Sequence, residues 1–148
     1  MKKIIITAIC FSAISSTSLA FVPQTSDHSH GAHHHALNKH ELTLNEGQKW
    51  QMDEHTRKMS KQMKSTFFSA DHSDLKSLKS LGSNLQSQLD SLISGCTMTG
   101  KAHDQLHVFL SEHIPTISAL TNAENYDTAK KNAIELKGQF EMYERYFK

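Results

Sequence analysis

Leucine recurs at helical steps through Leu75, Leu78, Leu85, Leu89 and Leu92, and no other feature of the chain restricts its fold as tightly. That spacing lines the side chains along one stripe of an α-helix, whereas a half-buried strand would need every second residue to be apolar. Asp71 or Ser73 can cap the start of this helix, and Gly95 suits its end. A third helix is predicted to present Leu106, Phe109, Leu110, Ile114, Ile117 and Leu120, bent where Pro115 lacks an amide donor. A fourth, capped by Asn122 or Asn125, carries Ala129, Ala133, Leu136, Phe140, Tyr143 and Phe147. The first is predicted to open near Thr43, where Thr43-Leu44-Asn45-Glu46 has capping-box spacing, and to run through Trp50 to about Ala70. Gly47 then weakens only its first turn. No window alternates as a strand does. Four such helices with short joints make the chain all-α, an antiparallel up-down four-helix bundle spanning residues 43–148.

The chain before residue 43 has a different character. Lys2 and Lys3 lead into the apolar stretch Ile4 to Ile14, and Ser18-Leu19-Ala20 places small residues where a signal peptidase cuts. Residues 1–20 are therefore expected to be a cleaved signal peptide, with the cut after Ala20 and the mature chain periplasmic or secreted. The apolar stretch is about half the roughly 20 residues that a membrane-spanning helix needs, so no membrane span is expected. Residues 21–42 hold His28, His30, His33, His34, His35 and His40 with little that is apolar, and are read as a disordered histidine-rich arm.

Lys and Arg number 16 against 15 Asp and Glu, a balance that supplies no basic surface for nucleic acid. The 11 His and 6 Met suit soft and borderline metals better than they suit a core. Once Cys10 leaves with the signal, Cys96 is the lone thiol of an exported chain. It is left with a ligand role, an intermolecular bridge such as a homodimer, or burial.

The densest chemistry lies at Cys96, Met98, His103 and His107. A loop thiolate and thioether run into two imidazoles four residues apart, and that spacing puts both rings on one helical face. Such a donor set favours copper, with zinc next if the thioether is left out. Asp104 can fix an imidazole tautomer. His55 and Met59 on the first helix are further candidate ligands if that helix neighbours the third, although a Met52, Met59, Met63 stripe is also what core packing produces. Met59 with His107 can ligate haem b in a bundle of this size. His72 and His113 look incidental. No Cys-x-x-Cys-His, repeated Glu-x-x-His or nucleophilic triad is present, so the chain is not expected to be an enzyme.

Two segments carry a resemblance. Leu44-Asn45-Glu46-Gly47-Gln48-Lys49-Trp50-Gln51-Met52-Asp53, followed by Arg57 and Met59, and Cys96-Thr97-Met98-Thr99-Gly100-Lys101-Ala102-His103-Asp104-Gln105-Leu106-His107 resemble a family of small exported bacterial helical proteins, over nearly all of residues 44–120. The resemblance implies a periplasmic helical bundle with no activity attached. The residues themselves point to a soft-metal, most of all copper, binding protein for sequestration or delivery, whose partners are a metal ion and a metal-transport or other periplasmic protein. A cofactor-free interaction or envelope-stress module with a reactive Cys96 is the alternative.

Overall fold

The computed structural model describes residues 41–148 as four helices: α1 (Glu54–Ser69), α2 (Leu75–Gly95), α3 (Gly100–Thr121) and α4 (Tyr126–Tyr146). The expected signal peptide and the histidines of the arm lie outside the described residues.

Helix α1 begins ten residues later than its capping-box spacing predicts. Asn45 and Gln48 exchange backbone hydrogen bonds of 2.8 and 2.9 Å around a tight turn, with φ of 51° at Glu46 and 82° at Gly47. Two successive positive φ values are incompatible with a right-handed helix, and Gly47 accepts one of them without strain. The true cap is Asp53, whose Oδ1 accepts from the Thr56 amide at 2.6 Å. Trp50 and Met52 therefore precede the helix. Their backbones pair instead with the end of the chain: the Trp50 amide donates to Tyr146 O, the Lys148 amide to Trp50 O, and the Met52 amide to Lys148 O.

The other helices follow their caps. Asp74, rather than Asp71 or Ser73, accepts from the Ser77 amide at the start of α2, while Asp71 is engaged by Ser73. Asn125 caps α4 through the Thr128 amide. Helix α3 continues through Pro115 as one element.

Side-chain pairs give the directions. His55 lies beside Ser91 and Gly95 while Thr66 meets Gln88, so α1 and α2 run antiparallel. Phe109 packs on Tyr143, His113 on Gln139, and Thr116 reaches Glu135, so α3 and α4 do too. Lys64 pairs with Glu144 and Phe67 stacks on Phe140, which links α1 to α4 in the same sense. Gly82 is pressed so closely on Thr121 that an added Cβ would sit 2.8 Å from the Thr121 backbone nitrogen. This close approach of α2 and α3 is open only to glycine. Helices α2 and α4 also approach one another directly, which leaves α1 and α3 facing across the longer diagonal.

The core is the predicted stripe with two exchanges. Leu78, Leu85, Leu89, Ile117, Leu120 and Leu136 are fully enclosed, each contributing about 1.5–3 kcal/mol of burial. Leu81 joins them. Ile114 does not, being 38% exposed, and the inward position on that turn belongs to His113 at 2%. Among the described residues, no helix is long and apolar enough to cross a membrane.

Candidate metal centre

Most of the chemistry-bearing side chains gather at one end of the bundle, formed by the start of α1, the end of α2, the start of α3 and the end of α4. Asp53 organises it. While Oδ1 caps α1, Oδ2 accepts from both the amide and the hydroxyl of Thr97, at 2.8 and 2.9 Å. One carboxylate thus fastens the loop between α2 and α3 to α1. Partial burial pushes its pKa up, but the hydrogen bonds from Thr56 and Thr97 outweigh that and hold Asp53 well below the usual carboxylate range. Asp53→Ala is expected to destabilise the fold by about 1–3 kcal/mol, since cap and loop tie are lost together. Urea unfolding at neutral pH measures this; a change under about 0.5 kcal/mol, as at an ordinary surface position, would remove the clasp.

The six predicted ligands divide into three groups. His103 and His107 come together: their Nε2 atoms are 3.0 Å apart, with the rings 4.4 Å between centroids at an interplanar angle of 64°. The cause is local, because residues four apart on α3 project from the same side one turn apart. His107 is exposed and His103 half-buried. Cys96, Met98 and Met59 form the second group, each half-buried and packed against the hydrophobic core. Cys96 is the residue that ends α2, its amide bonded to Ile93 O, and it is a free thiol.

His55 stands alone. Its Nε2 lies 2.9 Å from Ser91 O, and a carbonyl can only accept, so Nε2 carries the proton. The ring fills the space where a side chain on Gly95 would stand. The expectation that His55 and Met59 reach across to His103 and His107 required α1 and α3 to be neighbours; they occupy the long diagonal instead, and His55 docks on α2. Met59 and His107, the pair considered for haem b, are divided by the same diagonal. Among the described residues no three His, Cys, Asp or Glu side chains gather as one donor group, so the thiol does not join the two rings in a preassembled set. Asp104 makes no hydrogen bond to either ring among the described residues.

The paired imidazoles nevertheless have the dimensions of a chelate. With metal–nitrogen bonds of about 2.0–2.1 Å, tetrahedral geometry separates two nitrogens by about 3.3 Å, a few tenths of an ångström from the separation found. In the metal-free pair one Nε2 donates to the other. A metal needs both lone pairs, so the donating ring must first move its proton to Nδ1, which costs no net charge.

One polar site escaped sequence reasoning. His113 is enclosed between α3 and α4, its Nδ1 2.7 Å from Gln139 Oε1, with Gln139 Nε2 donating to Thr116 Oγ1 at 2.9 Å. Thr116 in turn donates to Glu112 O. Phe109 and Phe140 flank the ring at 4.9 and 5.2 Å. Burial drives its pKa down to about 4, against a smaller upward effect of the Gln139 hydrogen bond. The signal was available: the apolar step through Leu106, Phe109, Leu110 and Ile117 places residue 113 inward.

Comparison of this chain with family models, with curated proteins and with solved structures finds no match.

Proposed function

We propose that this chain is an exported metal-binding protein, most of all for copper, that sequesters or delivers its ion in the periplasm. One observation carries the reading: His103 and His107 already hold their Nε2 atoms at chelating separation on the surface of α3. An imidazole pair without thiolate suits Cu(II), Zn(II) and Ni(II), and copper leads that series in intrinsic affinity. The thiol of Cys96 and the thioether of Met98 pack against the core nearby in sequence, and the imidazole pair binds without them in this reading. The histidines at positions 28 to 40 add a weaker collecting tract.

Isothermal titration of the mature chain with Cu(II) and Zn(II), with a competing chelator, tests this. Losing either ring removes the chelate, so His103→Ala and His107→Ala are each expected to weaken binding roughly a hundredfold, while Cys96→Ser changes it little. Equal affinity in wild type and both histidine variants would sink the reading. The half-exposed Cys96 favours one second reading, a module that pairs covalently with a partner or another copy. A metal-free disulfide-linked species on non-reducing gels, abolished by Cys96→Ser, is its signature.

A further inference from the structure

The chelating pair has only two donors, and among the described residues no third His, Cys, Asp or Glu gathers with it. A tetrahedral ion bound there keeps two positions open. The helix that carries the pair also suits a self-contact. Positions 103, 107, 111, 114 and 118 follow one side of α3, and they are His103, His107, Ser111, Ile114 and Ser118, with no charged residue among them. Ile114 is 38% exposed there, two turns from His107. Lys101 and Glu112 fall on other sides of the helix, and Asp104 borders the stripe beside His107 and Ser111. A stripe with an exposed aliphatic side chain, and a single carboxylate at its edge that a divalent cation between the copies offsets, can meet its own copy in a two-fold contact.

Resting on the metal-binding reading above, we infer that the ion joins two copies of this chain, with His103 and His107 of each supplying a four-imidazole tetrahedral site and Ile114 packing beside it. The ligands on the two sides are identical, so the two-fold axis passes through the metal. No bond other than coordination forms, and removing the ion separates the copies. Zinc, which takes four nitrogen ligands in this geometry without redox change, is the probe that isolates the effect.

Sedimentation velocity of the mature chain under reducing conditions, titrated with Zn(II), reads the outcome. Monomer is expected to convert to dimer at one zinc per two chains, to return to monomer on adding EDTA, and to convert equally well in Cys96→Ser. His103→Ala and His107→Ala are expected to stay monomeric at the same zinc concentration. Ile114→Glu, which places like charges at the contact while leaving both rings, is expected to raise the zinc concentration needed for dimerisation roughly tenfold or more. A monomer that binds one zinc per chain through His103 and His107 would overturn the bridged dimer and leave the metal-binding reading intact. Zinc binding that ignores both histidines would overturn the two together. A zinc dimer that persists in His107→Ala would assign the contact elsewhere and overturn the inference.

Discussion

Acidifying the protein from pH 6.5 to 4 is expected to remove roughly 3 kcal/mol of stability through the single side chain His113. In the folded state burial keeps this ring neutral down to about pH 4. In the unfolded chain it takes up a proton near the ordinary histidine value of about 6.5. Between those two pH values the unfolded state binds more protons, so stability falls as pH drops through the window and the contribution is exhausted below it. The structural reason is a fixed hydrogen-bond sense. Gln139 Nε2 donates to Thr116, so Gln139 Oε1 faces His113 as an acceptor and Nδ1 of the ring carries the proton. A second proton on Nε2 would place a charge between Phe109 and Phe140. Asp53 and Asp74, both shifted below the usual carboxylate range, lose most of their contributions below pH 4 and overlap only the acid end of the window. Guanidinium midpoints at pH 7, 5.5 and 4 give the slope. Replacing both partners, His113→Leu with Gln139→Leu, removes the titrating group without leaving a buried orphan and is expected to flatten it. An unchanged slope in the double variant would show that another group causes the acid sensitivity.

Trp50→Ala is expected to cost about 3–5 kcal/mol, the upper range for a single core substitution. Trp50 is buried although it belongs to no helix. Its indole Nε1 donates to Thr43 O, and the amide of Thr43 donates to Gln105 Oε1 on α3 at 2.7 Å. Its backbone pairs with Tyr146 and Lys148 at the end of α4. One residue thus holds the segment before α1 against two other elements. Its removal leaves a cavity at the bundle end and frees the segment that the Asp53 clasp depends on. Thr43→Ala leaves the carbonyl acceptor in place and is the control, expected to stay within about 0.5 kcal/mol. Chemical denaturation of the two variants separates them; similar midpoints would mean that the indole contributes no more than an ordinary surface group.

The two residue signatures that suggested a family take on separate meanings in the fold. In the first, Gly47 makes a turn, Trp50 joins the ends of the chain and Asp53 caps a helix while tying down the loop at Thr97. Those are duties of folding. In the second, Gly100 turns the chain into α3 with φ of 70°, Met98 and Ala102 pack against the core, and His103 and His107 bring their ring nitrogens together.

How legible each feature was depended on the range of the interaction behind it. Stripes at Leu78, Leu85 and Leu89, or at Leu136 and Phe140, report helices because a helix repeats every 3.6 residues whatever surrounds it. The meeting of His103 and His107 was legible for the same reason, both rings being set by one turn of one helix. The start of α1 was misread because Thr43-Leu44-Asn45-Glu46 satisfies a local capping pattern, while the conformation adopted there is decided by strand-like pairing of Trp50 and Met52 with residues nearly 100 positions away.

Sequence alone determined four amphipathic helices, their approximate ends after the first, and one pair of imidazoles sharing a helical face, since each of these is a matter of neighbours along the chain. Only the tertiary structure decided that α1 and α3 lie across the long diagonal, that His55 rests on α2 instead of on the pair, that Cys96 ends a helix and joins no donor group among the described residues, and that His113 is sealed among aromatic rings. Those outcomes turn on how helices pack in the round, and a periodicity read along one dimension gives which face of a helix is buried but not which neighbour it is buried against.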